Sequence, residues 1–256
     1  MPVTSHVEEG ERPEGPALPV NELFCSLQGE GILNGVPSVF IRTAGCNLRC
    51  WFCDSYHTSW EPTGAWDAVD AIVERVAEYD AEHVVLTGGE PLIHESAVHL
   101  LDELAARGYH TTVETNGTIH REASIDLASV SPKLSSSTPT PERPPAGGDE
   151  PVGDWPERHE RDRIDIDALR ALCRDYDTQL KFVVTGREDM AEIESLLARV
   201  REAVAVPDDR VLLMPEGTTR ERLAETRGVV AELALEHGYR YTPRLHVDLW
   251  NDAPET

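Results

Sequence analysis

The chain has 256 residues, 40% of them hydrophobic, which is enough for one large domain or two small ones. It carries 23 lysines and arginines against 47 aspartates and glutamates, a formal net charge of −24, so a nucleic-acid partner is not expected. No apolar run is long enough to cross a membrane, and the N-terminal residues do not resemble a secretory signal, which predicts a cytoplasmic protein. The acids are spread along the chain, as on the solvated surface of a protein from a salt-loving organism.

Short runs rich in β-branched and aliphatic residues predict strands, and longer runs with one apolar face predict helices. The predicted strands are Ser38–Arg42, His83–Thr87, His110–Glu114, Leu127–Ser131, Leu180–Thr185, Arg210–Met214 and Tyr239–Tyr241. The predicted helices are Trp66–Tyr79, Ser96–Arg107, Glu188–Val204 and Thr219–His237. Their alternation predicts an α/β fold with a parallel sheet, as an incomplete barrel or a doubly wound sheet.

Two stretches depart from this alternation. Residues 1–18 are rich in Glu, Pro and Gly and are predicted to form a disordered acidic N-terminal segment. Residues from about 135 to 163 have almost no aliphatic side chains and predict a flexible insertion. One domain over 19–256, interrupted by this insertion, is therefore expected.

Polar motifs follow three of the predicted strands. They are Thr87-Gly88-Gly89-Glu90-Pro91, Glu114-Thr115-Asn116-Gly117 and Ser131-Pro132-Lys133. Glycines in the first motif allow a ligand to approach the backbone closely. Because the chemistry of parallel α/β folds sits at the carboxyl ends of the strands, we expect the three motifs to share one site.

Three of the five cysteines fall on one short stretch, with the spacing C-x3-C-x2-C: Cys46, Cys50 and Cys53. An odd number of cysteines with this clustering is not typical of a disulfide framework and favours a metal site. Three thiolates on one loop can hold three corners of a [4Fe-4S] cluster and leave the fourth iron open. The other two, Cys25 and Cys173, are interpreted as small hydrophobic residues.

A zinc site is the alternative for the same loop. His57 follows Cys53 by four residues, so the three cysteines and His57 could form a tetrahedral set of ligands. The chain would then be a non-catalytic zinc-binding module. The ligand types and their spacing leave both possibilities open.

The cysteine loop, with Phe52 before its last cysteine and a later Gly-Gly-Glu-Pro motif, resembles the radical S-adenosylmethionine (SAM) superfamily. This resemblance implies an incomplete (β/α) barrel of about six parallel strands. It also implies a [4Fe-4S] cluster whose open iron binds SAM. The SAM contacts implied by the resemblance are Phe52, Cys53, Asp54, Gly89, Ser131, Pro132 and Lys133.

A narrower resemblance, to the 7-carboxy-7-deazaguanine synthases of the QueE type, depends on segments around that loop. They are Asn21-Glu22-Leu23-Phe24, Ser26-Leu27-Gln28-Gly29-Glu30-Gly31, Gly35-Val36-Pro37-Ser38-Val39-Phe40-Ile41-Arg42 and Cys53-Asp54-Ser55. The family usually has Cys-Asp-Thr in the last segment, and Ser55 keeps the hydroxyl. The resemblance extends from about Pro19 to the C-terminus, except in the insertion. It implies a lyase that converts 6-carboxy-5,6,7,8-tetrahydropterin to 7-carboxy-7-deazaguanine with loss of ammonia.

The same resemblance implies the remaining residues and partners of the site. Ser55 is expected to bind Mg²⁺, a cation that prefers oxygen ligands. An external electron donor, a homodimer and a role in deazapurine biosynthesis for tRNA modification, of the queuosine or archaeosine type, are also implied. The expected substrate contacts are Leu27, Gln28, Gly29, Glu30, Arg42, Thr87 and His246.

Another radical SAM enzyme, such as a glycyl-radical activase, is a further alternative, since it would share the cysteine loop and the glycine motif. It would not share the Leu-Gln-Gly-Glu-Gly stretch that begins at Leu27, nor the Cys53-Asp54-Ser55 end of the loop. These two segments favour the QueE-type reaction.

Overall fold

A computed structural model of the chain describes residues 12–145, 153–251 and 253. Within these residues the strands are β1 Ala17–Leu27, β2 Pro37–Thr43, β3 Ala65–Ala68, β4 His83–Gly88, β5 His110–Thr115, β6 Leu127–Val130, β7 Thr178–Val184, β8 Val211–Pro215 and β9 Arg240–Tyr241. The helices are α1 Tyr56–Ser59, α2 Val69–Val76, α3 Ser96–Ala106, α4 Trp155–Asp162, α5 Ile166–Asp175, α6 Asp189–Arg201, α7 Arg220–His237 and α8 Leu245–Trp250. No helix of this described part is long and apolar enough to span a membrane.

The described strands form one sheet in the order β3-β1-β2-β4-β5-β6-β7-β8-β9. Every pairing from β2 through β4 to β9 is parallel, whereas β1 is antiparallel to both of its neighbours. The prediction of a largely parallel α/β sheet of the incomplete-barrel type is confirmed, and all seven predicted strands are present.

The two faces of the sheet have different neighbours. On β2, Val39 and Ile41 are fully buried and belong to the large hydrophobic core that includes helix residues such as Ile72. Alternate residues of a strand point to opposite faces. Phe40 accordingly packs in a separate small cluster with Phe24 and Val85, and the rings of Phe24 and Phe40 stack with centroids 5.3 Å apart.

Local capping sets where the longer helices begin and end. The side chain of Asp165 accepts a hydrogen bond from the Ala168 amide (2.9 Å) at the start of α5. Thr219 does the same for α7 through the amide of Arg222 (3.2 Å). Gly238, at φ +74°, ends α7 in the left-handed conformation that glycine adopts without strain.

The prediction of a helix from Trp66 was wrong in its first three residues. Ala65–Ala68 forms the edge strand β3, in which Trp66 pairs with Pro19 of β1. The apolar period that predicts the helix begins only at Val69, and this is where α2 begins. The strand β1 was not predicted, because its residues were interpreted only as a motif. The helix α5 was not predicted either.

The two stretches with unusual composition are partly described. Strand β1 begins at Ala17, just before the predicted domain boundary at residue 19, and residues 1–11 lie outside the described residues. The insertion predicted over 135–163 has a short 3-10 turn at Ser135–Ser137 and the helix α4. Residues 146–152 lie outside the described residues. The two described ends of the segment thus contain regular structure, and its flexibility stays a prediction.

Candidate active site

A cavity of about 710 Å³ opens at the carboxyl ends of the parallel strands. The structure brings nearly all the predicted site residues to its wall, and only Pro132, which is buried, does not line it. The predicted residues that line the cavity are Leu27, Gln28, Gly29, Glu30, Arg42, Cys46, Cys50, Phe52, Cys53, Asp54, Ser55, Thr87, Gly89, Ser131, Lys133 and His246.

The loop that follows β2 carries the three clustered cysteines into the cavity wall. Its backbone is held by side chains within and beside it. The guanidinium of Arg49 donates to the carbonyls of Cys46 (2.8 Å) and Leu48 (2.9 Å). The indole of Trp60 donates to the carbonyl of Cys50 (3.0 Å). The loop is thus shaped by its own hydrogen bonds, and its sulfurs remain at the cavity.

Burial controls the protonation of these thiols. It raises the pKa of Cys46 to about 12, and it also raises the pKa of Cys50 and of Cys53. Lys133 and nearby hydroxyl groups act in the opposite direction on Cys50 and Cys53. Metals bind the thiolate, so binding at this loop must displace protons.

The three thiols match the donor set of a cubane cluster. In such a cluster each of three thiolates binds a different iron, and the fourth iron has no protein ligand. All three cysteines line the same cavity.

The Gly88–Gly89 turn joins the end of β4 to the start of the cysteine loop. The Gly89 amide donates to the Thr43 carbonyl (3.0 Å), and the Glu90 amide donates to the Gly45 carbonyl (2.9 Å). Gly88 lies at φ +124°, and a Cβ there would overlap the backbone of Thr43. Only glycine permits this close approach of the two backbones.

Glu90 fastens the same turn to the end of β5. Its fully buried carboxylate accepts hydrogen bonds from the amides of Leu92 (3.0 Å) and Asn116 (2.6 Å) and from the Thr115 hydroxyl (2.9 Å). Burial raises the pKa of Glu90 to about 7, although these donors act in the opposite direction. The residue positions the two motifs relative to each other and does not line the cavity.

Charged side chains from distant parts of the chain meet at the cavity. Lys181, from the middle of β7, forms an ion pair with Glu30 and lies 3.7 Å from Glu114. Arg244 donates to Glu30 (3.0 Å) and to Asp54. Burial acts to raise the pKa of Glu30, but Lys181 and Arg244 hold it well below its ordinary value. Glu30 is therefore a carboxylate held between two cations.

Glu114 links this charged group to the predicted substrate residues. Its carboxylate accepts hydrogen bonds from Gln28 (3.3 Å) and from the Thr87 hydroxyl (3.0 Å). Glu114 was predicted at the site only as part of a polar motif, and no role was predicted for Lys181 or Arg244. The available signal was the charge of Lys181 in an otherwise apolar strand, in a chain with only two lysines.

The second lysine also reaches the cavity. Lys133 donates to the Ser131 hydroxyl (2.7 Å), so the motif after β6 presents an ammonium group beside the cysteine loop. Lys133 is thus at the cavity wall, where a contact with SAM was predicted.

Arg42 lies at the cavity, and only some of the donors of its guanidinium have a partner. Its guanidinium pairs with Glu22 (3.0 Å) and lies 5.4 Å from the centre of the Phe24 ring. Its buried Nε atom makes no hydrogen bond. One terminal nitrogen of the guanidinium is thus paired with Glu22, whereas the Nε–H has no partner within the described residues.

Ser55 and His57 lie close together at another part of the wall. The Ser55 hydroxyl has a long contact with Asp54 (3.4 Å). The Nε2 atom of His57 is buried and without a hydrogen bond in the described structure. Burial lowers the pKa of His57, which favours its neutral imidazole.

Comparisons with known proteins agree with this arrangement. The radical SAM superfamily profile matches residues 40–132, which include the cysteine loop and the glycine motif. A 7-carboxy-7-deazaguanine synthase of Halobacterium salinarum is 66% identical over the full length of both chains. One from Rhodopirellula baltica is 40% identical over 90% of this chain and 86% of the relative.

A solved structure of a synthase of this type has a similar fold. QueE from Escherichia coli matches with a TM-score of 0.64 and 25% identity, over 90% of this chain and 95% of that chain. The full-length identity to the synthases also decides between the alternatives that the cysteine loop left open, since neither a zinc module nor an activase explains it. The chain therefore belongs to the 7-carboxy-7-deazaguanine synthase family of radical SAM enzymes.

Proposed function

We propose that this chain is a carbon–nitrogen lyase that converts 6-carboxy-5,6,7,8-tetrahydropterin to 7-carboxy-7-deazaguanine and releases ammonia. One observation carries the proposal. A single cavity is lined on one side by the three clustered cysteines and on another by the buried group of Glu30, Lys181 and Arg244. The first side fits radical generation, and the second fits a small polar, charged substrate.

Cys46, Cys50 and Cys53 would hold the [4Fe-4S] cluster in this proposal. When bound, the cluster and SAM supply an adenosyl radical that removes a hydrogen atom from the substrate, after an external donor provides the electron. The donor set fits, because three thiols on one loop face the cavity and leave one corner of a cubane free.

The SAM contacts would come from the ends of β4 and β6 and from the cysteine loop. The backbone at Gly89 and at Phe52 to Asp54 lies at the wall and offers polar groups to the amino acid part of SAM. Lys133 supplies a positive charge for its carboxylate. Pro132 does not line the cavity, so its role would be to fix the backbone between Ser131 and Lys133.

The pterin would lie against Leu27, Gln28 and Gly29, with Glu30 and Glu114 beyond them. A pterin carries N–H donors on its pyrimidine ring, and carboxylates accept such bonds strongly. Arg42 lies at the wall, and its guanidinium supplies a positive charge for the substrate carboxylate. Thr87 and His246 complete the wall.

Mg²⁺ would bind near Ser55 in the same proposal. The Ser55 hydroxyl lines the cavity and has only one long contact, so its oxygen is available to a hard cation. The substrate carboxylate would be a further oxygen ligand. The product would serve deazapurine biosynthesis for tRNA modification.

Anaerobic turnover of the reconstituted, reduced protein tests the proposal. SAM, Mg²⁺ and the carboxytetrahydropterin are supplied in high salt, and mass spectrometry follows the products. We expect 7-carboxy-7-deazaguanine from the unchanged protein and from Cys25→Ala, since Cys25 is exposed on β1. Cys50→Ala should give none. SAM cleavage that leaves the pterin intact would contradict the proposed substrate.

A further inference from the structure

The segment after β6 packs directly onto the cysteine loop, although its composition predicts little burial. The carbonyl of Ser137 accepts a hydrogen bond from the Trp51 amide (3.1 Å), and the carbonyl of Ser136 accepts one from the Trp51 indole (2.8 Å). Trp51 lies between Cys50 and Cys53. The segment therefore holds the loop at the stretch that carries two of the three cysteines.

His159, on α4, makes a second attachment from the other end of the segment. Its ring is completely buried, and Nδ1 lies 3.2 Å from the Arg49 amide. Its Nε2 lies 2.8 Å from the Ser137 hydroxyl. The amide can only donate, so Nδ1 is the acceptor and the proton of the neutral ring is on Nε2. The imidazole thus joins the two ends of the segment and the cysteine loop.

Ser137 completes this attachment. Its hydroxyl donates to the Leu134 carbonyl (2.6 Å) and accepts from the Nε2–H of His159 (2.8 Å). The two residues thus fix each other's orientation at the cysteine loop.

Trp155 covers the loop beside this pair. Its ring lies 4.3 Å from the Arg49 guanidinium, whose other contacts are the loop carbonyls and the Trp60 ring at 5.9 Å. Arg49 is almost completely buried. The helix α4 is thus part of the wall behind the cysteines and is not a remote surface feature.

We propose that His159 and Ser137 are positioning residues for the iron–sulfur cluster: together they hold the Cys46–Cys53 loop and slow the loss of the cluster. The inference depends on the proposed assignment of the three cysteines as cluster ligands. It does not depend on the identity of the substrate, since neither residue lines the cavity.

Four variants test this inference: His159→Leu, His159→Gln, Ser137→Ala and the control His99→Gln. Gln can accept from the Arg49 amide and donate to Ser137, whereas Leu can do neither. His99 is exposed on α3 and serves as the matched control. Each reconstituted protein is measured for iron per chain and for the rate of iron loss to a chelator. Thermal unfolding of the cluster-free proteins reports on the fold.

We expect His159→Leu and Ser137→Ala to lose iron about 10-fold faster than the unchanged protein, as for other residues that orient metal ligands. His159→Gln should recover much of the retention, and His99→Gln should behave as the unchanged protein.

Iron loss in folded Ser137→Ala and His159→Leu at the rate of the unchanged protein would overturn the proposal. So would loss of iron only in proportion to loss of the fold, with His159→Gln no better than His159→Leu. An unchanged protein that takes up no iron would overturn the assignment of the cluster ligands as well. Normal iron retention with no pterin turnover would contradict only the proposed substrate.

Discussion

Gly29 lies directly against the imidazole of His246. A Cβ atom at residue 29 would overlap the Nδ1 atom of that ring, and the Gly29 carbonyl accepts a hydrogen bond from the Leu245 amide (2.8 Å). The two residues are far apart in the chain, one after β1 and the other in α8. Their contact closes the cavity wall where the pterin is proposed to bind.

Gly29→Ala should therefore impair the reaction without unfolding the protein. The added methyl group must displace His246, and small misplacements at a substrate wall can cost about 10²-fold in rate. The measurement is kcat/KM for the pterin. Gly228→Ala is the matched control, because nothing lies near a Cβ at that helical position. Equal kcat/KM in both variants would contradict a role of the Gly29–His246 contact.

Lys181→Met should destabilise the fold through the carboxylates it leaves behind. Glu30 and Glu114 would lose their shared cation in a buried place, and breaking a buried ion pair costs roughly 3–5 kcal/mol. Denaturant unfolding of Lys181→Met, Glu30→Gln and the double variant forms a double-mutant cycle.

In that cycle, Glu30→Gln should restore part of the lost stability to Lys181→Met. The affinity for the pterin should be lower in all three variants than in the unchanged protein, because the carboxylate at residue 30 is absent or misplaced. Additive losses of stability in the double variant would show that Lys181 and Glu30 do not stabilise each other.

Variants of Ser55 test the proposed Mg²⁺ contact. Ser55→Thr keeps a hydroxyl at the cavity and should keep the stimulation of turnover by Mg²⁺. In Ser55→Ala this stimulation should be about 10-fold weaker. Turnover is measured over a Mg²⁺ titration, with SAM binding as the check that the rest of the site is intact. Undiminished stimulation in Ser55→Ala would place the cation elsewhere.

His83 should make the fold sensitive to acid. It is buried between Ser38 (2.5 Å) and Thr112 (2.7 Å), and burial lowers its pKa to about 4. The unfolded state, with an ordinary pKa of about 6.5, then binds more protons than the native state between these values. The contribution of neutral His83 to stability is thus present above about pH 6.5 and is lost as the pH falls toward 4.

His83→Gln removes this titration. The difference in free energy of unfolding between the unchanged protein and this variant should shrink as the pH is lowered through that window. Unfolding is followed by circular dichroism, and His99→Gln, at an exposed position, is the control. A difference that does not change with pH would show that His83 is not the group that titrates.

The sequence predicted the parallel strands and the ends at which the chemistry gathers, because apolar runs and glycine motifs are local signals. It did not predict the ion group, because Glu30, Lys181 and Arg244 are distant in the chain and meet only in the fold. Lys181 in a buried strand was a signal that the sequence contained, but its partners could not be named.

The segment from 135 to 163 illustrates the other limit. Its composition lacks the aliphatic residues that predict a core, yet His159 and Ser137 are completely buried. Their polar atoms are satisfied by hydrogen bonds: His159 accepts from the Arg49 amide, and the Ser137 hydroxyl bonds to His159 and to the Leu134 carbonyl. Patterns of hydrophobicity do not detect burial of this kind, because polar groups can be buried when they are satisfied.

The most direct test of the proposed function is the ratio of 7-carboxy-7-deazaguanine formed to 5′-deoxyadenosine released during anaerobic turnover. If SAM is regenerated while the pterin ring contracts in this cavity, product should accumulate in large excess over 5′-deoxyadenosine, and neither should form in Cys50→Ala. Release of 5′-deoxyadenosine without any 7-carboxy-7-deazaguanine, or in equal amount to it, would contradict the account.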